Sequence, residues 1–185
     1  VRQAFSSIAE ELTYGNLLRW TSTYPELEQP RNPVRVGVIM AGNIPLVGFH
    51  DFLSVLISGN KIIAKTSSRD SDLIRFIGQI LNEIDPRFDG IMEFTDGTLS
   101  QIDVVIATGS DNSSRYFEYY FGKYPHVIRK NRNSIAVLTG KESNTDLENL
   151  GKDVFSYFGL GCRNVSKIYV PVGYDLPAIT KHWQE

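Results

Sequence analysis

Between Arg35 and Leu138, short runs of β-branched and aliphatic residues alternate with amphipathic stretches of helical period, and this alternation restricts the fold more than any other feature. Val36-Gly37-Val38-Ile39-Met40, Lys61-Ile62-Ile63-Ala64-Lys65 and Val104-Val105-Ile106-Ala107 read as strands. Pro45 to Ile57 predicts a helix stopped by Gly59. Leu73, Ile74, Ile77, Ile80 and Leu81 fall on one stripe of a second helix. A short strand is expected at Ile91 to Phe94, a helix at Asp111 to Phe121 with Gly122 as its stop, and strands at Val127-Ile128 and Ile135 to Leu138. Strands apolar on both faces need cover on both, and helical crossovers supply it in a parallel sheet. The expected fold class is therefore α/β, a doubly wound, mostly parallel Rossmann-like sheet.

The flanks read differently. Phe5, Ile8, Leu12, Leu17 and Leu18 predict a helix broken near Gly15, and Tyr24 to Pro33, with three prolines, predicts a linker. Beyond the alternating region, Thr145-x-x-Glu148 has the spacing of a capping box, followed at helical intervals by Leu147, Leu150, Val154, Phe155 and Phe158. Lys167 to Val170 predicts another strand, and Ala178 to Glu185 the start of a further helix. The net charge of −2 offers no basic field for nucleic acid, and no apolar run approaches the roughly 18 residues that span a bilayer. The expected partners are small molecules or proteins. A single cysteine permits no internal disulfide, and the residues from Val1 onward show neither a charged nor an apolar leader region. The expected compartment is the reducing cytoplasm.

That cysteine, Cys162, lies in Phe158-Gly159-Leu160-Gly161-Cys162-Arg163-Asn164, where two glycines strip side chains from the approach to the sulfur. A packing cysteine behaves as a small hydrophobe among bulky neighbours, so an inert thiol and an accessible nucleophile both stand at this point. Three loops leave predicted strands with small or polar residues and enter helices: Gly42-Asn43-Ile44-Pro45, Lys65-Thr66-Ser67-Ser68-Arg69 and Thr108-Gly109-Ser110-Asp111. Each can aim backbone N–H groups at a phosphate, although no G-x-G-x-x-G follows any strand. Asn43 either caps a helix or donates its amide to an oxyanion, a contact worth about 2.7–4 kcal/mol in acyl transfer. Arg129, Lys130 and Arg132 form a solvated rim or meet the phosphates of a large anionic substrate. His50, His126 and His182 lack metal-ligand spacing to one another and to Cys162, so no metal is expected. Asp103, Asp111 and Asp153 read as cap or surface residues.

Taken in order, Gly42-Asn43-x-Pro45, Lys65-x-Ser67, Thr108-Gly109-Ser110 and Gly159-x-Gly161-Cys162 resemble the aldehyde dehydrogenase superfamily. Within it, the Gly-Asn-x-Pro loop and the run from Gly159 to Ser166 are most similar to the acyl-CoA reductases related to LuxC, the fatty-acid reductase component of bacterial bioluminescence. The resemblance covers nearly the whole chain from Arg35. It implies that Cys162 accepts the acyl group and that Asn43 donates to the oxyanion, while Gly42, Lys65, Ser67, Ser68, Arg69, Thr108, Gly109 and Ser110 hold a nicotinamide cofactor. It divides the chain into an N-terminal helical segment and linker at 1–33, a nicotinamide-cofactor domain at 34–132, and at 133–185 the beginning of a catalytic domain that continues in a longer protein.

Two departures from the superfamily pattern carry further expectations. Val127-Ile128-Arg129-Lys130-Asn131 has no carboxylate where hydrolytic relatives carry the Glu that activates water, which favours thioester chemistry and reduction. Ser68 stands where NAD-preferring relatives place a Glu, and with Arg69 beside it NADPH is expected over NAD. The implied reaction is NADPH-dependent reduction of an acyl-CoA or acyl-protein thioester to an aldehyde. The alternatives are aldehyde oxidation to acyl-CoA or acid, and a nucleotide-binding module with an inert cysteine. Family analogy adds an acyl-protein synthetase partner and a homo-oligomer at full length. Because Cys162 follows a helix carboxyl end, its activation must come from Arg163, from the helix start beyond Asn43, or from groups outside these residues.

Overall fold

The computed structural model describes residues 1–183 and divides into two compact units, Val1–Lys130 and Asn131–Glu185. The first unit opens with helices α1 (Arg2–Glu11) and α2 (Tyr14–Thr21). A 3₁₀ turn at Pro25–Glu28 leads into strand β1 (Arg35–Ile39), helix α3 (Phe49–Ile57), β2 (Lys61–Lys65), α4 (Asp72–Ile84), β3 (Met92–Thr95), β4 (Val104–Thr108), α5 (Asp111–Phe121) and β5 (His126–Arg129). The five strands form a parallel sheet in the order β3-β2-β1-β4-β5. The chain thus winds outward in both directions from a switch point between β1 and β4. The expected doubly wound parallel α/β sheet is the observed one.

Alternation along the strands builds two cores. Val36, Val38, Met40, Ile62 and Ala64 face one side, where Phe49, Phe52 and Val55 of α3, Ile74 of α4, Phe5 and Ile8 of α1 and Leu12 just after it cover them. Ile39, Ile63, Val105 and Ala107 face the other, under Phe117 and Phe121 of α5 and the Leu99–Ile102 segment. Gly37 permits this second cover, since a Cβ there would fall 3.0 Å from Leu99 Cδ1 and 3.1 Å from Ile102 Cγ2.

Three local expectations shift. The break between α1 and α2 falls at Leu12–Thr13 rather than at Gly15, because Thr13 takes the extended conformation of an N-cap and Gly15 sits inside the first turn of α2. Helix α3 starts at Phe49 instead of Pro45, because Leu46 adopts a left-handed φ of 58° and keeps residues 45–48 in a turn. In the second unit the capping box is formed by Ser143 and Asp146, not Thr145 and Glu148: each side chain accepts the other residue's backbone N–H.

That second unit pairs β6 (Ser134–Val137) in parallel with β7 (Val165–Tyr169), joined through α6 (Asn144–Phe155). A last helix, α7 (Leu176–Thr180), runs into a 3₁₀ turn at Lys181–Trp183, while the end of the helix expected at 178–185 lies outside the described residues. Leu138, Leu147, Leu150 and Ile179 form the core. Trp183 closes it by lying over Gly151, where a Cβ would meet its ring at 2.5 Å, and by donating Nε1–H to the Leu147 carbonyl at 2.9 Å.

Candidate functional site

Parallel pairing places the carboxyl ends of β1, β2 and β4 on one edge of the sheet, with Ile39 beside Lys65 on one side and beside Ala107 on the other. The three loops singled out in the sequence therefore leave the same edge of the first unit. Two of them touch: a Cβ on Gly42 would come within 2.2 Å of Ser67 Oγ, so only a glycine lets the β1 loop lie against the β2 loop. Asn43, Pro45, Ser68, Arg69 and Asp70 line a cavity of about 390 Å³ between them. Asn43 is exposed, and it does not cap α3, whose N-cap is Gly48.

Lys65 is held by the neighbouring loop, its Nζ donating to the carbonyls of Asp96 at 2.9 Å and Gly97 at 2.7 Å. One ammonium proton is left over, since Lys carries three donors. Asp96 also accepts from Thr66 Oγ1 at 2.7 Å and from Arg75 Nη2 at 3.0 Å. The Thr66 hydroxyl first, and then Arg75, hold its carboxyl below the usual range. Asp96 thus fixes the root of the β2 loop. After β4, Gly109 packs tightly on α5, where a Cβ would fall 2.8 Å from the Phe117 ring and 3.0 Å from Ser113 Cβ. Ser110 caps that helix by accepting from the Ser113 N–H at 3.2 Å, while Thr108 ends β4 opposite Arg129.

Within the first unit two members of the cationic run are paired: Arg129 Nη1 donates to Asp51 of α3, which is 8% exposed, and Lys130 Nζ lies 3.3 Å from Glu118. Arg129 secures α3 to β5, where Val127, on the same side of the strand, stays half exposed.

In the second unit, Cys162 is exposed on the loop between α6 and β7 and belongs to no core. The helix ends at Phe155, and Tyr157, Phe158 and Gly159 follow with φ of 53°, 58° and 72°. Left-handed backbone costs a non-glycine residue about 1–2 kcal/mol, so something must hold this turn. The buried Asn164 does so. Its Nδ2 donates to the carbonyls of Asp153 at 2.8 Å and Ser156 at 2.9 Å, and its Oδ1 accepts from the Gly161 N–H at 2.7 Å. One amide thus occupies the open carbonyls at the end of α6 and pins the backbone one residue before the thiol. Sequence reasoning missed this role, and those of Asp70 and Asp96, because each acts on backbone groups that only the fold brings near.

The five-stranded unit has the architecture of the Rossmann-like domain of aldehyde dehydrogenases. Solved structures agree: PutA of Anabaena variabilis, assigned as an aldehyde dehydrogenase, superposes with a TM-score of 0.74 at 20% identity over 91% of this chain and 42% of that one. The P. syringae indole-3-acetaldehyde dehydrogenase AldA, solved with NAD+ and IAA, gives 0.71 at 18% identity over 83% and 35%. Aldehyde dehydrogenase 21 of Physcomitrella patens, solved with its reaction product succinate, gives 0.69 at 16% identity over 82% and 34%. The chain therefore spans less than half the length of each of these solved relatives. It belongs to the acyl-CoA reductase (LuxC) family, whose model matches residues 6–175. No curated protein sequence matches it significantly. Among the described residues, no helix is long and apolar enough to cross a membrane and no group of His, Cys, Asp and Glu is arranged to hold a metal ion.

Proposed function

We propose that the protein reduces an acyl-CoA, or an acyl group carried on another thioester, to an aldehyde through an acyl-Cys162 intermediate, with NADPH as reductant. The observation that carries this reading is the display of Cys162: an exposed thiol three residues after a left-handed turn held by Asn164, in a chain of the acyl-CoA reductase family. As a thiolate, Cys162 attacks the thioester carbonyl, its S–C bond forms as the C–O π pair moves to oxygen, and collapse expels the donor thiolate. The Asn43 side-chain amide is the oxyanion donor in this reading.

The β1, β2 and β4 loops fit a dinucleotide. Their strands end at one edge of the sheet beside the switch point, Gly42 lets the β1 loop lie against Ser67, and α5, capped by Ser110, starts after β4 with its first amides toward that edge. Gly42, Lys65, Ser67, Thr108, Gly109 and Ser110 would hold its ribose and phosphates. A nicotinamide bound there would supply the hydride for the acyl-cysteine carbonyl, and the tetrahedral oxyanion so formed re-forms its C=O and expels the Cys162 thiolate, releasing the aldehyde. Ser68 and Arg69 support NADPH over NADH: both are exposed at the cavity rim, no carboxylate occupies position 68, and Arg69 makes no ion pair among the described residues. The P. syringae dehydrogenase of this fold was solved with NAD+, which supports the nicotinamide class. A cytoplasmic, homo-oligomeric full-length enzyme fed by an acyl-protein synthetase belongs to the same reading. Incubation with acyl-CoA should add the mass of one acyl group to the intact protein and none to Cys162→Ala. An unmodified wild type, or equal adducts on both, overturns the proposal.

A further inference from the structure

Asp70 has no part in the chemistry above, yet it joins the two loops that carry it. Its carboxylate, in the loop after β2, accepts a 2.6 Å hydrogen bond from the backbone N–H of Leu46, in the loop after β1. Leu46 is the residue that departs from helical geometry, with φ of 58°, while its side chain is buried in the core with Phe49 and Phe52. The turn is thus fixed at one end by apolar packing and on its backbone by Asp70. Between Leu46 and Asn43 lie only Ile44 and Pro45, and the fixed φ of proline leaves little freedom to absorb a shift. The loops meet again where Gly42 lies against Ser67, and Asn43 and Asp70 line one cavity.

We propose that Asp70 is a positioning residue for acyl transfer: by holding the Leu46 N–H, it sets the turn that aims Asn43 and locks that turn to the cofactor loop. The inference rests on the reading of Asn43 as oxyanion donor. Burial raises the Asp70 pKa, and the nearby Asp72 adds to the rise; the Leu46 N–H opposes it without reversing it.

The test compares wild type, Asp70→Ala and Asp70→Asn in the complete enzyme, with hydrogen exchange at the Leu46 amide and the pre-steady-state rate of Cys162 acylation as readouts. Asparagine keeps an acceptor oxygen at the same reach, and alanine removes it. Asp70→Ala is expected to speed exchange at Leu46 at least about 10-fold. Its acylation at saturating acyl-CoA should slow about 10- to 100-fold, the range for a catalytic group displaced by roughly 1 Å. NADPH affinity should stay within about 3-fold, and Asp70→Asn should stay within about 3-fold of wild type in both readouts. If alanine prevents folding, Asp70→Glu, which keeps the charge and displaces the acceptor by one methylene, should show the same paired losses. Unchanged exchange in Asp70→Ala overturns the anchor, and faster exchange with unchanged acylation overturns the positioning role. Absence of acylation in wild type overturns the reading of the site and the catalytic half of this proposal, while exchange at Leu46 still decides the anchoring half.

Discussion

The two units solve the same problem, holding a loop still at the carboxyl end of a strand or helix, with different resources. In the first, β1 buries every residue from Val36 to Ile39, and Val38, Ala64, Val105 and Ala107 have no exposed surface at all. Both sheet faces are covered, so the strand-end loops stand on a platform fixed by non-local packing. In the second, β6 alternates, with Ala136 turned to α6 and Ile135 and Val137 exposed. A two-stranded sheet covered on one side supplies less burial, and the turn before Cys162 depends on local devices instead. The Ser143–Asp146 capping box starts α6, and Asn164 holds its end. The first unit sets the hydrogen bonds of Asp70 and Asp96 on a platform packed on both faces, whereas the second sets those of Asn164 on a smaller core.

The largest effect that tests this contrast is in the core. Phe52→Ala should destabilise the first unit by about 3–5 kcal/mol, whereas Leu150→Ala should cost the second about 2–3 kcal/mol. Unit-resolved hydrogen exchange in denaturant reads both, and equal or reversed losses would break the comparison. Next comes the clamp. Asn164→Ala should cost about 2 kcal/mol, through unpaired carbonyls at the end of α6, and should open residues 156–163 to protease without loosening the first unit.

Arg129→Met comes third. It leaves the Asp51 carboxylate, 12% exposed, without its partner and should cost about 1–2 kcal/mol, the Arg side being 39% exposed and partly screened. Asp51→Ala should cost less, because the orphaned Arg129 can reach water.

The smallest effect is acid fraying of the second unit. Hydrogen bonds from Thr139 hold the Glu142 carboxyl below its usual range, and those from Ser143 do the same for Asp146. A depressed carboxylate pKa adds stability above the unfolded value, and that stability is lost as pH falls through the lower folded value. Protection of the amides at the start of α6, corrected for the intrinsic pH dependence of exchange, should therefore be flat above about pH 5 and fall below about pH 4. Asp146→Asn should flatten part of that fall, whereas a fall already complete at neutral pH would contradict the sign.

The alternation of apolar runs was enough to read the parallel sheet, because periodicity is a local record of which faces are buried. Strand ends came out within two residues, as at Val165–Tyr169 against the expected 167–170. Two of the misses share a cause: Leu46 and Arg129 owe their settings to groups distant in sequence, namely Asp70 and Asp51. A hydrogen bond across 24 or 78 residues leaves no spacing to read. The cationic run at 129–132 read as a cluster for the same reason, since its acidic partners lie on other elements. The Cys162 loop was legible as a display of sulfur because its glycines are adjacent in sequence, but the amide that pins it was not.

On the proposed reading, an acyl group on Cys162 is reduced rather than hydrolysed. Loading the complete enzyme from acyl-CoA, removing the donor and adding NADPH measures this in a single turnover. The account predicts that the acyl mass leaves Cys162 as aldehyde, with one NADPH oxidised per acyl group released. Release of the free acid with NADPH unchanged would contradict it.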